Sequence, residues 1–112
     1  MNDKQLEYFY SMVSFAGLLS LYTFKLSFDK KVAFDKNDLT AELSILPEPY
    51  FHGFIVACSA MNIVGYNFKN SIFTVVYLDP MILSTLEDQV KKSAKKEKYW
   101  EEELEKVIKY FE

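Results

Sequence analysis

One histidine and one cysteine are the residues of this sequence best suited to act together as a base and a nucleophile. His52 and Cys58 are each the only residue of their type. The apolar run around them predicts a helix, in which residues six apart lie on different faces because neighbours are three or four apart. A lone cysteine in the run IVACSAM is typical of a small buried hydrophobic residue. We therefore expect no cysteine–histidine catalytic site.

Carboxylate catalysis, calcium binding and phosphate binding each lack residues that they require. Asp29, Asp35 and Asp38 lie beside lysine or asparagine in turn-like segments, where aspartate favours local turns. The segment DKND lacks the closing glutamate of a calcium loop. The glycines are too scattered for a phosphate-binding loop, and one cysteine cannot form a cysteine-based zinc site. We predict no catalytic residues, no metal and no cofactor, although a small enzyme with an unrecognised site stays an alternative.

Lysines crowd together near the C-terminus and could form a phosphate-binding face. They are Lys91, Lys92, Lys95, Lys96 and Lys98. Glu97 interrupts the cluster and Glu101–Glu103 follow it directly, so a duplex phosphate backbone would meet repulsion there. All 13 basic residues are lysine and the formal net charge is −3, so the arginine contacts that read guanine are absent. We interpret the cluster as a solvated connector and expect no nucleic-acid partner.

The acidic run EEELE follows Tyr99 and Trp100, and together they could bind another protein. The glutamates could mimic nucleic-acid phosphates in a basic site, or simply be solvated. Tyr and Trp often anchor interfaces, but Trp100 also falls on an apolar helical seam that is typical of a core. The predicted partner-binding residues are Tyr99, Trp100, Glu101, Glu102, Glu103, Leu104, Val107 and Phe111.

The spacing of apolar residues predicts an α+β fold with a small antiparallel sheet. It consists of an N-terminal helix ending near Gly17, a three-strand meander over 20–46, a buried middle helix over Tyr50–Val64, one later strand over 71–78, and a long C-terminal helix over 80–112. The meander is predicted from the alternation of apolar with polar residues, as at the apolar positions Tyr22, Phe24, Leu26 and Phe28. Asp79 and Pro80 favour the start of the last helix.

The C-terminal helix is too long for its own domain. Its 33 residues would span about 50 Å, whereas a compact domain of this length has a diameter of about 35 Å. The helix must therefore break near 93–97, where the seam turns polar, or project from the domain. A projecting segment from Tyr99 onward would be a docking helix or a dimer seam.

Residues 1–112 are expected to form a single domain in the cytoplasm. The N-terminus lacks the positive region of a signal peptide. Two stretches carry no charge, Tyr8–Phe24 and Pro49–Phe68, but the first is short and both contain polar residues, so we predict no membrane span.

Composition favours protein binding over catalysis. The chain has 8 Tyr and 10 Phe, more than a small core needs, and exposed apolar patches mark interaction sites. The leading hypothesis is a non-catalytic inhibitor, immunity or anti-defence protein that occludes a partner protein. The alternative is a homodimeric adaptor or chaperone: the predicted order of elements, with Trp100 late in the last helix, is similar to class I type III secretion chaperones, which implies a small acidic dimer.

Overall fold

Six helices surround a three-stranded antiparallel sheet in this protein, which is described by a computed structural model of residues 1–112. The helices are α1 (Asp3–Met12), α2 (Phe15–Lys30), α3 (Lys36–Ala41), α4 (Glu48–Ala60), α5 (Pro80–Ala94) and α6 (Lys98–Tyr110). The strands are β1 (Phe34–Asp35), β2 (Val64–Lys69) and β3 (Ile72–Leu78), in the order β1-β3-β2. The predicted α+β class with a small antiparallel sheet is confirmed.

Helix α2 occupies the segment predicted as the first strand of a meander. Its residues are buried without interruption from Gly17 to Phe24, so apolar residues stand on nearly every side of the helix. Where all faces are buried, an apolar run carries no helical period and can be mistaken for a strand. The hydroxyl of Thr23 donates to the Leu19 carbonyl at 2.9 Å, which satisfies this polar group inside the core.

The rest of the predicted meander is also wrong. The second strand shrinks to the two residues of β1, and the third strand, Leu39–Ile45, is replaced by the end of α3 and a loop. Asp35 explains the difference, because its carboxylate accepts from the Asn37 amide at 2.8 Å and so begins a helix where a turn was expected. The order of elements that resembled the secretion chaperones is therefore not observed.

A β-hairpin follows α4, and its first strand was not predicted. The predicted middle helix ends at Ala60 rather than Val64, because Asn62 adopts a left-handed backbone with φ 61°. Strand β3 matches the predicted strand and lies between the other two. Asn70 and Ser71 form the turn, both with positive φ, which fits the twist of a two-residue hairpin.

The C-terminal segment breaks instead of projecting. Helix α5 ends at Ala94 and α6 begins at Lys98, within the polar region where a break was expected. Helix α6 packs against α5 and α2, which keeps the molecule within 36 × 32 × 24 Å. One cluster of 22 buried residues draws on every element except α1, which contributes no buried residue.

Candidate functional site: an uncharged surface on α1, α4 and β3

The cysteine and the histidine of α4 do not form a catalytic pair. Cys58 is fully buried, and burial raises the pKa of its thiol to about 12. The His52 ring packs against Phe68 with centroids 5.1 Å apart, and its Nδ1 has no hydrogen-bond partner. A buried thiol with a raised pKa is a poor nucleophile. No group of three or more His, Cys, Asp or Glu side chains is placed to hold a metal ion.

Helix α6 turns most of its predicted partner-binding apolar residues towards its own core. Leu104 is 7% exposed and Val107 is fully buried. The half-buried Trp100 stacks on Phe15 with centroids 4.7 Å apart and 5° between the planes. The expected projecting group is therefore corrected to a core-packed helix, while partner binding by the half-buried Trp100 stays a prediction.

Three predicted partner-binding residues remain exposed at the start of α6: Tyr99, Glu101 and Glu102. Phe111, at the other end, packs edge-on against Phe34 with centroids 5.8 Å apart. The exposed trio is small and mixes an aromatic ring with two charges. Partner binding by these residues stays a prediction.

Glu103 has a structural role that the acidic run concealed. It is 2% exposed, and its Oε1 accepts from the Ile45 amide at 2.9 Å and also from the Ser44 amide. Its Oε2 lies 3.1 Å from the Lys106 ammonium. Glu103 therefore holds the loop that precedes α4 in place through these hydrogen bonds. Because its carboxylate is buried, it cannot mimic a phosphate group at the surface.

The lysine cluster lies at the surface, around the connection between α5 and α6. Its five lysines are all exposed, and Lys91 lies 3.8 Å from Glu87 one turn away. An exposed pair of this kind contributes little to stability.

Helix α4 presents a second face to solvent, opposite its buried one. The buried residues are Phe51, Ile55 and Cys58. The exposed residues on the other side are uncharged, and we call five of them the outer face of α4: Tyr50, Gly53, Val56, Ala57 and Ala60. Glu48, His52 and Ser59, at spacings of four and seven residues, share a polar side of the helix, so α4 has one buried side, one polar side and one exposed uncharged side.

Beside this face, α4 forms a groove of about 730 Å³ with α1 and β3. We define the groove by Tyr8, Met12, Phe54, Met61 and Tyr77, which line it. Four of these side chains are strongly exposed: Tyr8 68%, Met12 67%, Met61 56% and Tyr77 43%. Nine of the twelve lining residues are hydrophobic.

The only charged side chain that lines the groove is Asp79. Its Oδ1 accepts from the Met81 amide at 2.9 Å and from the Ile82 amide at 3.3 Å, at the start of α5. The positive end of that helix therefore already compensates the carboxylate. What the groove offers a ligand is an apolar wall of aromatic and methionine side chains.

Two hydrogen bonds and one glycine position the walls of the groove. The Tyr10 hydroxyl lies 2.8 Å from Thr85 Oγ1, which ties α1 to α5, and the Tyr50 hydroxyl lies 2.9 Å from Ser14 Oγ. A Cβ on Gly17 would come within 2.9 Å of Phe54 Cε1, so the glycine lets this ring lie close against α2.

The same surface brings together exposed parts of both uncharged stretches of the sequence. Tyr8 and Met12 come from Tyr8–Phe24, whereas Phe54 and Met61 come from Pro49–Phe68. In the sequence, the two stretches stood out only as candidate membrane spans. No helix of this chain combines the length and the apolar character that crossing a bilayer requires.

Helices α3 and α4 follow one another in the order of a helix-turn-helix, with a β-hairpin after them. In DNA-binding proteins with that motif, the second helix enters the major groove. Here the second helix is α4, and no lysine or arginine occurs from Pro49 to Phe68. A helix without basic residues has no cationic side chains with which to neutralise phosphates.

Comparison with known proteins adds no relative: no protein-family model matches this chain, and neither a curated protein nor a solved structure shows significant similarity to it.

Proposed function

We propose that this protein is a non-catalytic binding module that attaches to another protein through the groove and occludes a functional surface of that partner. An inhibitor, immunity or anti-defence protein acts in this way. The observation that carries the proposal is the exposure of Tyr8, Met12, Met61 and Tyr77 around one predominantly apolar concavity. Apolar patches of this kind on a small domain mark interaction sites.

The lining of the groove indicates the chemistry of the partner. Met12 and Met61 have flexible, polarizable side chains that adapt to irregular apolar shapes. Tyr8 and Tyr77 offer large aromatic surfaces of the kind that anchor interfaces. The groove is lined by α1, by α4 and by β3. A hydrophobic groove can hold the apolar face of an amphipathic helix. We therefore assign such a helix on the partner as its occupant.

In this proposal the protein acts by binding alone and catalyses no reaction. We also place it in the cytoplasm. The single cysteine is free and buried, which is compatible with a reducing compartment. No observation in the structure favours the chaperone hypothesis, because the order of elements that suggested it is not observed.

Affinity capture from the source cell with matched variants tests the proposal. Tyr8→Lys with Met12→Lys places two charges in the groove, whereas Glu7→Lys with Ser11→Lys places two lysines on the other exposed side of α1. We expect the wild-type protein and the control pair to capture one partner at fixed stoichiometry, and the groove pair to lose it. The purified partner should then lose its own activity when this protein is added.

Two results would contradict the proposal. If the groove pair captures the same partner as well as the wild type does, the groove is not the binding site. If the purified protein turns over a substrate without any partner, it is an enzyme and not a non-catalytic binding module.

A further inference from the structure

We infer that Asp79 selects the partner of the groove by accepting a lysine ammonium from the partner's helix. The inference rests on the proposed function and deepens it, because it states which polar group the apolar face of that helix must carry. Asp79 is 7% exposed, and its carboxylate is the only charged side chain among the residues that line the groove. A partner that covers the groove therefore removes this charge from water.

The two oxygens of the Asp79 carboxylate have different surroundings. Oδ1 accepts from the Met81 and Ile82 amides at the start of α5. Oδ2 accepts no hydrogen bond within the chain, and the cation beside it is the Met1 ammonium at 3.7 Å. The N-terminal end of a helix is equivalent to about half a positive charge, so the compensation of this carboxylate by α5 is partial.

The Met1 ammonium occupies the cation position at Oδ2 without a hydrogen bond. Its distance of 3.7 Å is longer than the roughly 2.7–2.9 Å of a charge-assisted hydrogen bond. Met1 and Asn2 are exposed and precede the first helix, and the ends of a chain are its least ordered part. An ammonium on the partner can therefore displace that of Met1 and approach Oδ2 more closely.

Charge complementarity makes this contact a selective one. A partner helix with a cation at this position replaces the water that Asp79 loses with an ion pair. A helix that is apolar at the same position leaves a carboxylate oxygen buried without a partner, which is costly. Asp79 therefore favours one class of helix and disfavours another.

The position fits lysine better than arginine. The guanidinium of arginine typically binds both oxygens of a carboxylate, and Oδ1 of Asp79 already accepts from two amides. The ammonium of lysine is a compact charge that can bind one oxygen. The apolar stem of a lysine can lie along the methionine and tyrosine side chains of the groove while its ammonium reaches Oδ2.

Two synthetic amphipathic helical peptides test the inference. They share a ridge of leucines and differ at one central position of that ridge, which is lysine in one peptide and methionine in the other. Fluorescence anisotropy measures their binding to the purified protein. We expect the wild-type protein to bind the lysine peptide at least about tenfold more tightly than the methionine peptide, as a hydrogen bond between charged groups implies.

Two variants of the protein locate the charge that is responsible. Asp79→Asn removes the charge and keeps the helix cap, because asparagine caps a helix as well as aspartate does. It should bind the two peptides about equally. Asp88→Asn makes the same change of charge at an exposed position of α5 and should keep the full preference for lysine. Circular dichroism checks that both variants are folded, and the comparison of the two peptides on the wild-type protein needs no variant.

Each result decides the matter. Equal binding of the two peptides by the wild-type protein would overturn the inference and leave the groove as a binding site, so the proposed function would survive. A preference for lysine that persists in Asp79→Asn, or that is lost equally in Asp88→Asn, would also overturn it, because Asp79 would then not be the acceptor. If the wild-type protein binds neither peptide, the inference fails together with the assignment of a helix to the groove.

Discussion

Glu103 and its sequence neighbour Glu102 lie in different environments. Glu102 is exposed, whereas the Glu103 carboxylate is buried and accepts from two loop amides. Glu103→Ala leaves the Ser44 and Ile45 amides without that acceptor. We expect it to lower the free energy of unfolding by about 1–3 kcal/mol, measured by urea denaturation. Glu102→Ala should change it by less than about 0.5 kcal/mol, and equal effects of the two changes would show that the buried carboxylate does not hold the loop.

Leu104 lies in the core and the half-buried Trp100 packs against it, so their removal should affect stability. Truncation of a buried Leu or Trp to alanine typically costs about 2–5 kcal/mol, and Trp100 also loses its stacking on Phe15. We expect Trp100→Ala with Leu104→Ala to unfold the protein or greatly lower its thermal midpoint, while Tyr99→Ala stays close to wild type. A double variant that folds normally but loses a binding partner would instead restore the docking-helix hypothesis.

Cys58 should be chemically inert in the folded protein. Burial raises the pKa of its thiol from 9.0 to about 12, and the reactive species is the thiolate. We expect a disulfide reagent at about pH 8 to label Cys58 only as fast as the protein opens. The thiol of the unfolded chain loses its proton first as the pH rises above about 9, so this group makes the fold less stable between about pH 9 and 12. Rapid labelling of the native protein would contradict its burial.

At the scale of elements, Gly17 and Gly53 are helical glycines with opposite surroundings. A Cβ on Gly17 would lie 2.7 Å from Val13 Cγ1 and 2.9 Å from Phe54 Cε1, whereas one on Gly53 would meet nothing within 4 Å. Gly17→Ala should therefore lower the free energy of unfolding by about 1 kcal/mol, because overpacking outweighs the gain in helix propensity. In dilute solution, Gly53→Ala should raise it by about 0.5–1 kcal/mol. Thermal unfolding measures both, and stabilisation by Gly17→Ala would show that the ring of Phe54 is free to move.

Elements bounded by a local signal could be predicted from the sequence. Asp79 and Pro80 start α5 as expected, and β3 follows its β-rich run. The strand predicted over Tyr22–Phe28 was wrong because burial on all sides of α2 removes the periodicity that distinguishes a helix from a strand. Strand β2 was missed because Gly65 and Asn67 are typical of loops, and it is pairing with β3 that makes them part of a sheet.

At the scale of the whole molecule, the candidate site depends on which surfaces the fold leaves uncovered. The sequence shows two uncharged stretches, but it does not show that α1 contributes no buried residue or that α4 is covered on one side only. Tertiary packing decides both. Tertiary packing buries Leu104 and Val107, which were predicted from the sequence to bind a partner. It exposes Met12 and Met61, for which the sequence predicted no function.

The central claim is that this protein binds its partner through the groove between α1, α4 and β3. Hydrogen exchange of the captured complex tests this claim most directly. Exchange measured by mass spectrometry reports which backbone segments a partner protects. We expect slower exchange, relative to the protein alone, in the segment of α1 that carries Tyr8 and Met12 and around Met61 at the end of α4. Protection confined to α6 around Tyr99, with α1 and α4 exchanging as in the free protein, would contradict the account.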